Sequence, residues 1–418
     1  MTLADTSAKA GGRQAAMPFI LVTVLIDMVS IGLIIPVLPL VVGQFTASPA
    51  EQTYWFGVVT FAFGAANFFG SPILGALSDR YGRRPVLLIG FTGLTLSFFV
   101  TGLATALWML IAVRLFSGAM QANNSVAGAY VADITPPDQR ARRFGLLGAM
   151  FGLGFILGPV MGGLLGAINV RLPFFVAGSL AVTNALYGFF VLPESLPPDR
   201  RRRFSWRRAN PVAALSGLTR LEGVGPLVIV VALAALAQFM LHTSWVLYTH
   251  FTFGWGPAQV GWSLFAVGAM AALVQGFLLK HLLERFSVQR LAGVGLVSSC
   301  LTYLAFGLAT EGWMMYAIII VGNVFGAGAQ AAIQSMVSNA ADANKQGQTM
   351  GSMSSLNSLA AVTAPVLATP LLGIVSHRPP GDWLIGLPFY VCALLQAVGA
   401  ATAIRFFRRR AALATVPA

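Results

Sequence analysis

Few side chains in this sequence could do chemistry, and their setting makes it the chemistry of protons and ion pairs. Asp27 lies in the middle of a long apolar run and is the one acid of thirteen well inside such a run. A charge at the centre of a bilayer costs roughly 2.5 kcal/mol or more, so a carboxylate there is functional by default. It either takes up and releases a proton or is a structural acid hydrogen-bonded to a neighbouring helix. Arg114 is the corresponding cation; it either snorkels to a nearby surface or serves coupling or the cavity. Between them stands Gly75-Ala-Leu-Ser-Asp-Arg-Tyr-Gly-Arg-Arg84, two glycines bracketing an acid with three arginines close by. Such a run must be a tight turn at a membrane surface, and its arginines place it on the cytoplasmic side. Pro85 then opens the next apolar segment, where a missing N–H costs a helix nothing.

Apolar helices must carry these groups. Of the residues 57% are hydrophobic and 9% charged, against about 25% charged in soluble domains, so the chain is a polytopic membrane protein. Its net charge of +13 does not point to nucleic acid. All Lys and Arg except Arg114, Arg171 and Arg378 fall in segments expected on the cytoplasmic side. The two cysteines, Cys300 and Cys392, give no disulfide or metal framework. No metal and no cofactor are expected. No Gly-Lys-Ser/Thr phosphate loop is present, so an ATPase or other enzyme is not expected.

Runs of about 20 apolar residues recur near 18–43, 55–77, 85–104, 106–132, 144–166 and 173–192. They recur again near 226–248, 259–283, 289–309, 313–338, 350–374 and 383–404. The expectation is an all-α membrane protein of twelve transmembrane helices in two six-helix pseudo-symmetric halves, with both termini cytoplasmic. Its parts are an N-terminal arm (1–17), a first half (18–192), a basic linker (193–225), a second half (226–404) and a tail (405–418). The arm lacks a cleavage pattern, so the first span reads as a signal anchor. The linker, rich in Pro and Arg, could bind anionic lipid or simply fix topology.

The halves look duplicated. Leu103-Ala-Thr-x-x-Trp-Met109 returns as Leu308-Ala-Thr-x-x-Trp-Met314, Gly145 and Pro159 as Gly351 and Pro365, and Gly57 and Gly64 as Gly261 and Gly268, at nearly one offset. Parallel repeats of six helices imply a transporter with its site near the midplane. Candidate cavity residues in the first half are Asn67, Gln121, Asn123 and Asn124. In the second half they are Gln238, His242, Trp245, Gln275, Asn323, Gln330, Gln334 and Asn357. His242 is either titratable near neutrality or a packing residue. Trp245, Tyr248, Phe251 and Trp255 are either an interfacial belt or an aromatic wall for a planar ligand.

The loop residues Gly75, Leu77, Asp79, Arg80, Gly82, Arg83 and Arg84 resemble the signature loop between the second and third helices of the major facilitator superfamily. Arg114-Leu-Phe-Ser-Gly118 is similar to that family's fourth-span motif, where an intramembrane arginine is implicated in proton coupling. Gly154, Gly158-Pro159, Gly162 and Gly163 resemble its fifth-span motif, associated with exporters running as antiporters; small residues so spaced also make a flat packing face. The likeness covers nearly the whole chain and points to the tetracycline/proton antiporter branch of the twelve-span drug exporters. It rests on Asp27 with Gly32-Leu-Ile-Ile-Pro-Val-Leu-Pro39, Ser78 to Leu88, Ala106-Leu-Trp-Met109, Phe151-Gly-Leu-Gly154, Trp245 to Thr249 and Phe253-Gly-Trp255.

That branch carries an acid in span three, a histidine in span eight and an acid in span nine; here Ser97, Ala271 and Ser299 stand there. The resemblance therefore implies a proton-driven exporter of amphipathic small molecules in which Asp27 with Arg114 is the remaining coupling pair. It also implies a cytoplasmic gate in which Asp79, Arg80, Arg83 and Asp133 tie the ends of spans two, four and eleven. Expected partners are a small-molecule substrate, protons and membrane lipids, with the proton gradient as energy source. The protein is expected as a monomer in a bacterial inner membrane. Alternatives are a metabolite or siderophore exporter of the same fold, a lipid-linked flippase, or a non-transporting membrane sensor.

Overall fold

A bilayer offers no water to unpaired backbone groups, so a spanning segment must satisfy them within itself, which helices do. The computed structural model describes residues 3–121, 123–206, 210, 225–339, 346–379 and 381–414; the side chains of 3–16, 137, 141, 279–280, 283, 325, 327–352 and 409–414 lie outside the description. Among the described residues the regular structure is helical throughout, and ten helices are long and apolar enough to cross a membrane.

The chain forms two compact units, one of residues 1–41 and 62–211, the other of 42–61 and 212–418. The first contains α1 (Leu3–Ile34), the later part of α3 (Pro49–Tyr81), α4 (Arg83–Leu103), α5 (Leu107–Met120), α6 (Asn123–Ile134), α7 (Arg140–Ile168) and α8 (Leu172–Phe190). The boundary falls within α2 (Leu38–Gly43). The second unit contains the start of α3, α9 (Gly225–Phe253), α10 (Pro257–Leu273), α11 (Leu279–Arg285), α12 (Val288–Leu308), α13 (Gly312–Asn339), α14 (Gln346–Val375) and α15 (Leu387–Ala414).

Two expected spans differ in detail. The fourth is broken into α5 and α6, each too short to cross alone. The tenth is α13, which opens with the short apolar stretch Gly312–Val324. The first span keeps its expected reach, Met17–Gly43, but is interrupted near its end. Pro36 has no N–H to donate, so α1 closes with the short bonds Ile35 N to Gly32 O (3.2 Å) and Val37 N to Ile34 O (3.2 Å) before α2 begins.

The first unit's core is built from Ile20, Val24 and Met28 of α1, Leu87 and Phe91 of α4, and Val126, Tyr130 and Val131 of α6. In the second unit Leu227 and Val230 of α9 meet Leu296 of α12 and Ala400 and Ala403 of α15. A buried aromatic cluster lies further along, with Tyr248 and Phe389 at 4.5 Å and Trp245 and Phe306 at 5.1 Å between ring centroids, all edge-to-face. Edge-to-face contacts suit the ring quadrupoles. Trp245, Tyr248 and Trp255 are at most 7% exposed, so three of the four expected belt or wall aromatics are core.

Two of the three arginines outside the basic segments are bonded at helix ends or turns. Arg171 donates to the carbonyls of Gly102 (3.2 Å) and Ala104 (2.8 Å) at the end of α4, where a cation meets the negative end of the helix dipole. Arg378 donates to Asp382 (2.8 Å), whose carboxyl is held below its ordinary range by that bond and by the Leu384 N–H.

Candidate coupling and gating site

Asp27 lies two turns before the end of α1 and is 4% exposed. Its Oδ1 accepts one hydrogen bond, from Asn123 Nδ2 at 3.1 Å. Asn123 is the first residue of α6, so the carboxylate sits against the break in the fourth span. A Cβ on Gly90 of α4 would fall 2.0 Å from Asn123 Oδ1. The glycine thus makes the space that lets the amide reach across to α1. On the other side of the break, Asn67 Nδ2 of α3 donates to the carbonyls of Gln121 (2.6 Å) and Gly118 (3.4 Å). Gln121 O lies just past the end of α5, where carbonyls lack the usual helical donors; Gly118 O also accepts from Gln121 N at 3.3 Å. Non-helical backbone at membrane depth is tolerated only where protein satisfies it or a cavity lies beside it, and broken helices are where carriers build their sites.

Three of the four first-half cavity candidates therefore meet at one place. Gln121 contributes its carbonyl, Asn67 and Asn123 their amides, while Asn124 is exposed beside them. Asn184 of α8 escaped the sequence reading. It is 1% exposed and donates to Thr23 O at 3.0 Å, pinning α8 to α1 one turn before Asp27. An asparagine in an apolar span was the available signal.

Arg114 does not snorkel. It is 7% exposed, with its guanidinium carbon 5.9 Å from the centre of the Phe63 ring. Its Nε and Nη2 have no hydrogen-bond partner among the described residues. No ion pair joins it to Asp27 among the described residues, so the two expected coupling groups are separate sites.

The fifth-span glycines press directly on the helix that carries Asp27. A Cβ on Gly154 would lie 2.3 Å from Met28 Cβ, on Gly158 2.7 Å from Gly32 Cα, and on Gly162 2.0 Å from Leu33 O. Gly163 is buried beside them, and Pro159 lies within the same helix. Gly148 and Gly152 meet nothing within 4 Å, so only one face of α7 is constrained.

The signature loop folds into a charge cluster. Arg83 is the first residue of α4; its Nη1 contacts Asp79 Oδ1 (2.6 Å) and donates to Ser78 Oγ (2.6 Å), and its Nε donates to Asp133 Oδ2 (3.0 Å). Glu194, at the start of the linker, accepts from the backbone N–H groups of Arg83 (2.8 Å) and Arg84 (3.3 Å). A carboxylate is well placed there, because the first N–H groups of a helix lack intrahelical acceptors and carry the positive end of its dipole. Ser195 Oγ also donates to Asp133 (3.4 Å), and Tyr130 Oη donates to Pro193 O (2.8 Å). Glu194 was not anticipated, since nothing local marks an acid that acts on a helix over a hundred residues earlier.

Arg80 stands outside this cluster, over the Tyr81 ring at 5.0 Å. Arg84 is bonded to the Phe189 carbonyl. Gly75 meets nothing within 4 Å. The expected tie to span eleven falls where the side chains 346–352 lie outside those described. Gly82 has φ 108° and ψ 161°, a region open in practice only to glycine, and a Cβ there would fall 2.3 Å from Glu194 Oε2. Gly82→Ala is expected to cost about 1–3 kcal/mol, read as a lowered unfolding midpoint in detergent; an unchanged midpoint would contradict the placement of Glu194.

In the second unit, Gln238 and His242 of α9 are exposed and bonded to each other (2.9 Å), and Tyr303 Oη donates to Gln238 Oε1 (3.2 Å). Gln275 is exposed in a π-helical turn, Val274–Leu278, between α10 and α11; such turns are frequent at functional sites. Asn323 is bonded within its own helix, to Ile319 O, and Asn357 is exposed. The side chains of Gln330 and Gln334 lie outside the described residues. Trp245 is corrected: its indole N–H donates to the buried Ser263 Oγ at 3.0 Å, so this ring is packed and satisfied within the unit and offers no cavity face.

Comparison with known proteins agrees with this architecture. The Major Facilitator Superfamily pattern matches residues 20–250 and 227–418. The class C tetracycline resistance protein of Escherichia coli is 36% identical over 380 residues, 91% of this chain and 95% of that protein. The class D protein of Salmonella ordonez is 34% identical, covering 90% and 96%. The crystal structure of the human organic anion transporter MFSD10 (TETRAN) superimposes with a TM-score of 0.69 at 22% identity, covering 94% of this chain and 99% of that one; at that identity it speaks for the fold alone. This chain belongs to the Major Facilitator Superfamily, as a membrane transporter and not an enzyme, in the branch of the tetracycline resistance proteins.

Proposed function

We propose that this protein exports amphipathic small molecules, tetracycline-like compounds among them, in exchange for protons by alternating access. The observation that carries the substrate class is the identity to tetracycline resistance proteins along nine-tenths of the chain. Proton exchange is supported by Asp27, a buried carboxylate whose one hydrogen-bond partner among the described residues is a neutral amide at a helix break. Ser97, Ala271 and Ser299 have no proton to exchange at neutral pH, so Asp27 is the proton carrier. Arg114, buried with two nitrogens unpartnered among the described residues, assists by attracting a substrate anion or an acid that moves toward it during the cycle.

In this cycle an external proton neutralises Asp27, which removes the cost of a bare charge beside the fourth-span break. The α1–α7 pair then moves as one body, because its backbones are in contact. The Asp79–Arg83–Asp133 cluster holds the cytoplasmic end of its half in one state and yields in the other. Substrate enters from the cytoplasm or inner leaflet as the proton leaves.

We further propose twelve spans with both termini cytoplasmic, residence in a bacterial cytoplasmic membrane, action as a monomer, and no cofactor beyond the proton gradient. Nucleic acid has no part in it. The runner-up is a metabolite or siderophore exporter, favoured by the three departures from the tetracycline branch at Ser97, Ala271 and Ser299.

Uptake into energised inside-out vesicles tests the reading. Tetracycline is expected to accumulate several-fold more than in vesicles lacking the protein, and an uncoupler abolishes the difference. No accumulation of tetracycline, with uptake of an anionic metabolite instead, would move the assignment to the runner-up.

A further inference from the structure

The linker holds a feature that transport does not use. After Glu194 the chain makes a short 3₁₀ turn, Pro198–Arg200, and then runs back beside the signature loop, where Arg202 N donates to Asp79 O at 2.9 Å. That bond sets Arg201, Arg202 and Arg203 next to Arg80, and these four with Phe204 line a depression of about 420 Å³. All four arginines are exposed, and no ion pair involves them among the described residues. Asp79, the nearest acid on the loop, is committed to Arg83; Asp199 lies in the turn itself.

Four guanidinium groups around one depression repel one another unless an anion sits among them. Their planar forks match phosphate oxygens in particular. The depth is also defined. Phe204 and Trp206 stack edge-to-face at 5.0 Å, with Trp206 70% exposed, and Tyr81 beside Arg80 is 52% exposed. Tyr81 closes the spanning helix α3 and Trp206 lies in the linker; exposed Trp and Tyr belong at the headgroup level of a bilayer, and a basic cluster there reads as a binding site for anionic lipid.

We propose that Arg80, Arg201, Arg202 and Arg203 bind the phosphate of an anionic phospholipid headgroup, with Phe204 and Trp206 seated in the interface beside it. The site is independent of what the transporter carries. It lies one backbone hydrogen bond from Asp79, so an occupied site steadies the linker against the charge cluster.

The test is native mass spectrometry and thermal unfolding of the full-length protein, titrated with phosphatidylglycerol, phosphatidylcholine or glycerol 1-phosphate. Phosphatidylglycerol is expected to bind at least about tenfold better than phosphatidylcholine and to raise the unfolding midpoint. The triple variant Arg201→Gln, Arg202→Gln, Arg203→Gln loses that preference, whereas Arg405→Gln with Arg408→Gln keeps it. Equal binding of the two lipids by the unmodified protein, or an unchanged preference in the triple variant, overturns the site. Stabilisation by glycerol 1-phosphate equal to that by the lipid overturns the lipid assignment.

Discussion

Gly158→Leu is expected to abolish transport and to destabilise the protein by about 3 kcal/mol or more. Overpacking a close-packed contact costs about 1–3 kcal/mol when neighbouring side chains can shift. Here the first added carbon would already lie 2.7 Å from Gly32 Cα and 2.8 Å from Val29 O. These are backbone atoms, so no rotamer relieves the clash and α1 must move away from α7. Asp27 moves with it, away from Asn123. Gly32→Ala strains the same gap from the other side, 2.9 Å from Gly158 Cα. The two changes should therefore combine non-additively, as neighbours sharing one contact do. Gly152→Ala is the control: its Cβ would meet nothing within 4 Å, and its effect should stay within about 0.5 kcal/mol. Thermal unfolding in detergent and drug efflux in cells together decide it. An active Gly158→Leu protein with an unchanged midpoint would mean that the two helices are not in backbone contact.

The second large effect is expected at Arg83. Its side chain is 10% exposed and is shared between Asp79 and Asp133, themselves 39% and 23% exposed. Removing one member of a fully buried pair costs about 3–5 kcal/mol; the partly exposed carboxylates here bring Arg83→Gln to about 2 kcal/mol. Among the described residues Asp133 would keep only the long bond from Ser195. Asp79→Asn removes the less buried partner, so it should leave the fold and the membrane level nearly intact while transport stalls. Glu194→Gln is intermediate, about 1 kcal/mol, because an amide oxygen can still accept from the α4 N–H groups. The order expected for loss of stability is Arg83→Gln, then Glu194→Gln, then Asp79→Asn. Normal transport by Asp79→Asn at normal membrane levels would sink the gate assignment.

Much of this site was legible because charge is rare in the chain. In a sequence that is 9% charged, an acid inside an apolar run and an arginine cluster at its end stand out by cost alone. The glycine face of α7 was legible as a packing surface, but its partner was not, since periodicity describes one helix at a time. The break in the fourth span was hidden for a related reason. Gln121 and Asn123 look like a polar patch on a continuous helix, with no Pro or Gly between them. What opens the helix there is tertiary: Asn67 takes up the freed Gln121 carbonyl and Gly90 makes room for the Asn123 amide. Trp245 misled in the opposite direction. Tryptophans near the ends of spans usually sit in the interface, but a buried hydroxyl at Ser263 satisfies this indole and allows it into the core. Glu194 and Asn184 act on residues more than a hundred positions away, a distance that spacing rules do not cover.

The most direct test of the central claim, that Asp27 carries the proton exchanged for drug, uses inside-out vesicles with an acidified lumen and a pH-sensitive fluorophore. Tetracycline added to vesicles holding the unmodified protein is expected to dissipate the gradient as protons leave in exchange for drug. Asp27→Asn, present at the same level and still binding tetracycline, is expected to leave the gradient untouched. Dissipation by the Asp27→Asn protein at the unmodified rate would contradict the account and place the proton on another group.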